Sequence, residues 1–264
     1  MIALEMTQAA QIIYTTFFAL MIFFSRPSYE NHISRGDYYY QMFDNEAAQR
    51  EYELAYQESP LNYASLLRLV RIHNDNGRIH LRKDSLSELE YRKAIGFADS
   101  LSTYYPDSAA SHFWYALAKG SLIPFVGVRE KIAIGKEVKS HIQISLECDS
   151  TFSYPYVVCA IFEREGSKLS WLEKGIVRVV FGEDLSGSLK ASEQYLKTAL
   201  RYDSSNSFAY YELFWTYKEM GNKTLAASSL QEVLKRDPKN LREKQQQDEA
   251  RLHLAELSSQ SRVN

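Results

Sequence analysis

The sequence predicts an all-α fold, a helical-repeat solenoid of about five helix pairs closed by a C-terminal capping helix. Three observations carry this. One pattern recurs with a 34-residue period, so that Asp203 and Asp237 close equivalent segments. Apolar residues run at helical spacing along the whole chain, and strand-like alternation is absent. The six prolines and eleven glycines fall mostly at joints between these segments. A helix pair with small residues at fixed offsets cannot bury its apolar face alone and must stack on copies of itself.

The last unit, 207–240, is the clearest. It shows two amphipathic stretches, a Gly221-Asn222 turn between them and an Asp237-Pro238 stop. Leu213, Tyr217, Gly221, Ala226, Leu230, Val233 and Pro238 stand at the offsets of the tetratricopeptide repeat, which this unit resembles. Phe214 stands where that motif has a small residue, so a wider crossing is expected there. The first unit repeats the pattern with Ala48, Tyr52, Ala55 and Pro60. This register divides the chain into units 29–62, 63–108, 109–152, 153–206 and 207–240, of 34, 46, 44, 54 and 34 residues. The excess in the three middle units is placed at the turn between the two helices of each.

In unit two the polar stretch Asn74–Ser85 reads as an inserted turn. In unit three an apolar loop holds Pro124 and Gly127. In unit four the insertion Ser167–Ser188 carries a helix of its own, whose stripe of Trp171, Leu172, Ile176, Val179 and Val180 needs burial. Ala94, Ala199 and Ala226 mark expected helix crossings. Leu241–Leu257 is polar and charged, packs only through Ala250, Leu252, Leu254, Ala255 and Leu257, and is expected to close the stack with its wet face outward. The repeat domain is thus 28–257, and 258–264 is an expected disordered tail.

Residues 1–27 read as a separate hydrophobic targeting or anchor segment with a short linker. Ala9–Phe24 is uncharged and mostly apolar over 16 residues. A spanning helix needs about 20 apolar residues and a signal-peptide core about 7–15. This run lies between the two, with Glu5 as the only charge before it and Arg26 and Arg35 after it. The expectation is a chain associated with a membrane through residues 9–24, or exported, on the periplasmic side if bacterial. It is cytoplasmic if the run is instead a buried helix.

A formal net charge of −2 gives no electrostatic footprint for nucleic acid. The histidines at 32, 73, 80, 112, 141 and 253 form no i,i+4 pair and no H-E-x-x-H, so no metal site is expected. The stretch GEDLSGS lacks the lysine of a phosphate loop, and no G-x-S-x-G elbow occurs. Glu163, Glu165, Glu183 and Asp184 read as a solvated face. No cofactor and no enzymatic activity are expected. Cys148 and Cys159 fit no metal motif and read as buried small hydrophobes, although a disulfide across the helix turn is geometrically possible. Nineteen tyrosines are many, and amphipathic rings of this kind line contact surfaces as well as cores.

From unit three onward the likeness is narrower. GVREKIAIGKEVKSHIQISLECD, then Ala160 eleven residues before Trp171 in LSWLEKGIVRVVFG, then GSLKASEQYLKTAL follow one order and spacing. Over about Ser111 to Asp237 this resembles the regulator-of-microtubule-dynamics family and its bacterial relatives. Those relatives are similar in turn to the T component associated with some substrate-binding-protein-dependent transporters. Leu169-Ser170-Trp171 and Phe181-Gly182 are the most specific pieces. The family usually has glycine where Ala160 stands and a proline soon after Phe-Gly, where this chain has Leu185. The resemblance implies a helical repeat domain without enzymatic activity. It carries no microtubule-binding residues onto this chain.

Projecting the repeat register onto the first helix of each unit gives a candidate groove. It holds Leu67 and Arg71, then Phe113 and Leu117, then Tyr154, Val157 and Ile161, and last Phe208, Tyr211 and Trp215. The offsets of three and four place each set on one helix face. The groove is expected to be apolar, with Arg71 its only cation, and either to be filled by the apolar insertions at 120–130 and 167–188 or to hold a protein partner or a small hydrophobic ligand. The face of Phe208, Tyr211 and Trp215 lies opposite that of Leu213 and Tyr217, so something must cover it. The two candidates are the 167–188 insertion and an external apolar ligand.

Overall fold

The computed structural model describes residues 28–79, 85–170, 179 and 187–260. The run Ala9–Phe24, the residues Trp171, Leu172, Ile176, Val180 and Leu185, the Phe181-Gly182 pair and residues 261–264 lie outside them. Among the described residues are eleven α-helices, one short 3-10 turn at Ile123–Phe125 and no strand. They are α1 (Ser28–Gln41), α2 (Asn45–Glu58), α3 (Tyr63–Ile79), α4 (Ser85–Tyr104), α5 (Ala109–Ser121), α6 (Val128–Cys148), α7 (Ser153–Ser167), α8 (Leu189–Tyr202), α9 (Ser207–Glu219), α10 (Lys223–Leu234) and α11 (Leu241–Gln260). They pair as five A/B hairpins followed by one single helix. Every predicted boundary between units falls in the joint between a B helix and the next A helix.

Short polar side chains start seven of these helices. Asp44, Ser108, Ser188, Asn206 and Asn222 each accept a hydrogen bond from the backbone N–H three residues on. Asn62 and Asn240 do the same for α3 and α11. Each supplies an acceptor to an otherwise unpaired first-turn donor. Helix α10 ends differently: the Gln247 amide of α11 donates to the carbonyls of Val233 and Arg236.

Small residues sit where the helices cross. Ala48, Ala55, Ala94, Ala98, Ala199 and Ala226 are fully buried. At Gly36 an added Cβ would lie 2.4 Å from the Tyr52 ring, so α1 and α2 meet through a glycine against an aromatic face. Gly187 has φ +58°, and a Cβ there would lie 2.3 Å from the Glu163 carbonyl oxygen, so the entry to α8 is closed to other residues. Ala226→Leu is expected to overpack the α9–α10 crossing and cost about 1–3 kcal/mol in urea unfolding. An unchanged midpoint would remove Ala226 from the crossing.

Several expectations are corrected. The stretch Asn74–Ser85 is not simply a turn: α3 continues to Ile79, and Asn74 and Asp75 are buried. The excess of units two and three is not confined to turns, since α4 and α6 run to 20 and 21 residues. Val179, the described member of the insertion stripe, is exposed. Cys148 is exposed and Cys159 half-buried, both as free thiols, and burial pushes the Cys159 thiol up to about 11. The last helix runs on through Ser258 and Ser259 to Gln260.

The largest revision concerns α11. Its wet face is not simply turned outward. Gln246, Gln247 and Ala250 are buried, Leu254 and Leu257 pack on the unit-five core, and Leu252 and Ala255 are exposed. The helix lies on α9 and α10 and reaches α3 of unit two. Arg242 stands 3.6 Å from Asp75 and Glu249 stands 3.9 Å from Arg78. Side chains of unit two and of the last helix thus meet.

Candidate functional site

Because the A helices stack side by side, α1, α3, α5, α7 and α9 each turn one edge toward a common cavity of about 650 Å³. The segment Pro238–Gln246, at the start of α11, forms its other wall. The unit-one and unit-two side is charged. The Arg68 guanidinium grips the Asp37 carboxylate with two hydrogen bonds, 2.7 and 2.5 Å. Burial alone would raise the Asp37 pKa, but hydrogen bonds from Arg68 and Tyr52 and the charges of Arg68 and Arg71 hold it below its usual value. Arg71 lies over the Tyr40 ring at 4.1 Å, and the Tyr40 hydroxyl donates to buried Asp75 at 2.6 Å. Burial, and then the Asp75 charge, push the Tyr40 phenol well above its ordinary range. Tyr40 therefore acts only as a donor to that carboxylate.

The opposite side is aromatic. Phe113, Trp114 and Leu117 of α5, Tyr154 of α7 and Phe208 of α9 line it. Phe113 is buried, with its ring 5.4 Å from that of Tyr154. Arg242 of α11 lies 5.2 Å from the Phe208 ring centroid and joins the two sides.

A family profile described as regulator of microtubule dynamics protein 1-3 matches residues 33–258. The chain belongs to this family. The match is longer than the likeness carried by units three to five, and includes the charged side of the cavity and most of α11. Regulator of microtubule dynamics protein 1 of Mus musculus is 24% identical over 203 residues, which are 75% of this chain and 65% of that protein. Protein 2 of Rattus norvegicus is 29% identical over 136 residues, 50% of this chain and 32% of that protein. The chain thus spans less than two thirds of these relatives. The crystal structure of a thermophilic TPR protein from Thermus thermophilus covers 85% of this chain and 99% of its own, with a TM-score of 0.59 at 17% identity. That likeness shows a tetratricopeptide-like fold and nothing further.

In this family member the structure brings together half of the residues projected from the register. Arg71, Phe113, Leu117, Tyr154 and Phe208 line the cavity. Leu67 packs instead with the α3–α4–α5 core, and Val157 and Ile161 with the C-terminal core. Tyr211 is buried and donates to Glu249, and Trp215 packs on His253. The cavity is not the apolar groove expected, because Arg68, Arg242 and Lys239 join Arg71 there. Arg68 was readable as the residue three positions before Arg71 on the same helix face. The α11 residues carry no repeat signal.

Outside the cavity, the fold unites two histidines that sequence spacing kept apart. His112 and His141 approach through their Nδ1 atoms at 3.0 Å. His112 Nε2 lies 2.7 Å from the Pro106 carbonyl and donates there, so in a neutral His112 the Nδ1 accepts from His141. The His141 ring stacks on Tyr115 at 3.9 Å, while Glu137 and Lys119 lie nearby. Burial, then the neighbouring His112, lower the His141 pKa from its ordinary value to about 4. A depressed histidine binds its proton in the unfolded chain first. Stability should therefore fall as pH drops from about 6.5 to 4, by about 1–2 kcal/mol after allowing for solvent screening. His141→Gln, which keeps a donor toward His112, is expected to flatten that part of the stability–pH curve. Parallel curves for the two proteins would reject this.

Proposed function

We propose that this chain is a non-enzymatic protein-interaction scaffold whose partner enters the cavity between the A helices and α11. The carrying observation is the amphipathic lining: charged side chains at one end and aromatic ones at the other, on the inner face of a tetratricopeptide-like stack. Recognition surfaces combine these, with rings supplying buried area and arginines supplying directional bonds. The second reading is a carrier of a small hydrophobic ligand, serving a transporter. It is supported by the aromatic wall alone, since an apolar molecule would bury the arginines and carboxylates opposite it without partners.

The test is site-specific photo-crosslinking in cells. A photoreactive residue at Trp114 is expected to capture a protein, and one at exposed Tyr195 on α8 is not. Leu117→Arg, which fills the cavity, should abolish the capture. No capture at Trp114, or equal capture at both sites, would sink the scaffold reading. The names of the mammalian relatives make tubulin a candidate partner, to be checked by co-sedimentation with stabilised microtubules. The run Ala9–Phe24 supports a membrane tether, and among the described residues no helix is long and apolar enough to cross a membrane. Fractionation of the full chain against residues 28–264 tests the tether: equal distribution of the two would reject it.

A further inference from the structure

Arg71 and Arg242 are the two guanidiniums of the cavity whose donors are least used. A guanidinium offers five N–H donors in a fixed fork. Arg71 makes one long hydrogen bond, from Nη2 to the Tyr52 hydroxyl at 3.4 Å, and stands 3.7 Å from Asp37. Its Nε is buried with no hydrogen-bond partner among the described residues. Arg242 stands 3.6 Å from Asp75, beyond hydrogen-bond reach. Arg68 differs, being already clamped on Asp37 by two short bonds. Arg71 comes from α3 and Arg242 from α11, so they address the cavity from two walls.

We propose that the cavity takes the free C-terminal carboxylate of a partner polypeptide, gripped by Arg71 and Arg242, with a bulky apolar last side chain set against Phe113, Leu117 and Tyr154. This rests on the scaffold reading and names the chemistry that reading leaves open. A carboxylate is planar and presents two oxygens, which match a guanidinium fork. A single negative charge suits the site better than a dianion. Asp37, Asp75 and Glu243 share the cavity and would repel a phosphate twice as strongly. The remaining wall decides between a peptide and a fatty acid. Gln41, Asn240 and Gln246 line it. Their amides can exchange hydrogen bonds with a peptide backbone, whereas an acyl chain would desolvate them without return. The volume, about 650 Å³, falls within the range of about 300–1,000 Å³ of sites that enclose a small ligand or a few residues.

The experiment uses the full chain against an array of pentapeptides with free C-termini, all residues being sampled at the last two positions. The same array with C-terminal amides, and palmitate in solution, are run beside it. Binding should concentrate on acids ending in Leu, Phe, Met or Trp, and weaken about tenfold or more on amidation, the scale of a charge-assisted hydrogen bond. Arg71→Gln and Arg242→Gln should each weaken it to a similar degree. Arg71→Lys keeps the charge but not the fork. It should weaken binding several-fold at an unchanged melting temperature, which separates recognition from folding. Equal binding of acid and amide would overturn the proposal. So would an array without preference at its last position, binding of palmitate with no peptide bound, or no binding at all. Protein capture at Trp114 that survives Arg71→Gln and Arg242→Gln would leave the scaffold reading standing and the carboxylate proposal refuted.

Discussion

Arg164→Met is expected to destabilise the protein by about 3–5 kcal/mol, among the largest effects of any single substitution in this chain. Arg164 of α7 is buried, and its Nη1 donates to the Glu212 carboxylate of α9 at 2.6 Å, with Glu212 equally buried. Glu219 lies 3.7 Å from its Nε, and Lys168 pairs with Glu219 at 2.8 Å. Burial alone would lower the Arg164 pKa, but Glu212, Glu165 and Glu219 raise it, so the charge is kept. Methionine fills the aliphatic volume and removes the cation, leaving the buried Glu212 carboxylate without its closest partner. The cost is that of the orphaned carboxylate more than of a lost attraction. Arg164→Met combined with Glu212→Leu should therefore recover much of the loss. Urea unfolding of the four proteins in the cycle measures both terms. A loss below about 1 kcal/mol for the single variant would mean that water reaches Glu212.

The same pair shows what sequence could and could not reveal. Most unit boundaries were legible because they rest on local chemistry: a capping Asn or Ser before α3, α5 and α9, though none before α7, and a proline after the B helix in units one, two and five. The crossings were legible through small residues at fixed offsets, of which Ala94, Ala199 and Ala226 are fully buried examples. The partners of buried polar groups were not legible. Arg164 and Glu212 are 48 positions apart, His112 and His141 are 29 apart, and no periodic pattern connects either pair. Asn74 and Asp75 read as a solvated turn because their composition is that of one. They are buried because Tyr40 bonds Asp75 and Arg242 faces it from the far end of the chain. The course of α11 is the extreme case. Its sequence is polar enough for an outward cap, yet the Gln247 amide offsets its burial by closing carbonyls of α10 and the residues after it. Half of the projected residues reach the cavity because A-helix periodicity is strong. The rest of its lining comes from polar and aromatic A-helix positions outside the projected set, such as Asp37, Tyr40, Arg68 and Asp75, and from Pro238–Gln246.

Trp215→Ala decides what covers the second face of α9. That face had to be covered by the 167–188 insertion or by a ligand, and the described residues supply a third answer, α11. The Trp215 ring packs on Phe214 at 4.8 Å and on His253 of α11 at 5.2 Å, with the Lys218 ammonium 4.7 Å from its centroid. Phe214, fully buried, stacks on the same histidine. Removing the indole should cost about 2–4 kcal/mol, at the lower end for a large aromatic because the ring is only partly buried. It should also loosen α11, seen as faster proteolysis within 241–260. Trp215 does not line the cavity, so peptide affinity should fall only as far as Arg242 loses its place on the loosened helix. His253→Ala, touching the same rings from the other side, should give a smaller loss in the same direction. An unchanged unfolding midpoint for Trp215→Ala together with abolished binding would place Trp215 in a ligand site and refute α11 as the cover. A large loss of stability with α11 still protected from protease would leave the indole in the core of unit five and break its link to the helix above it.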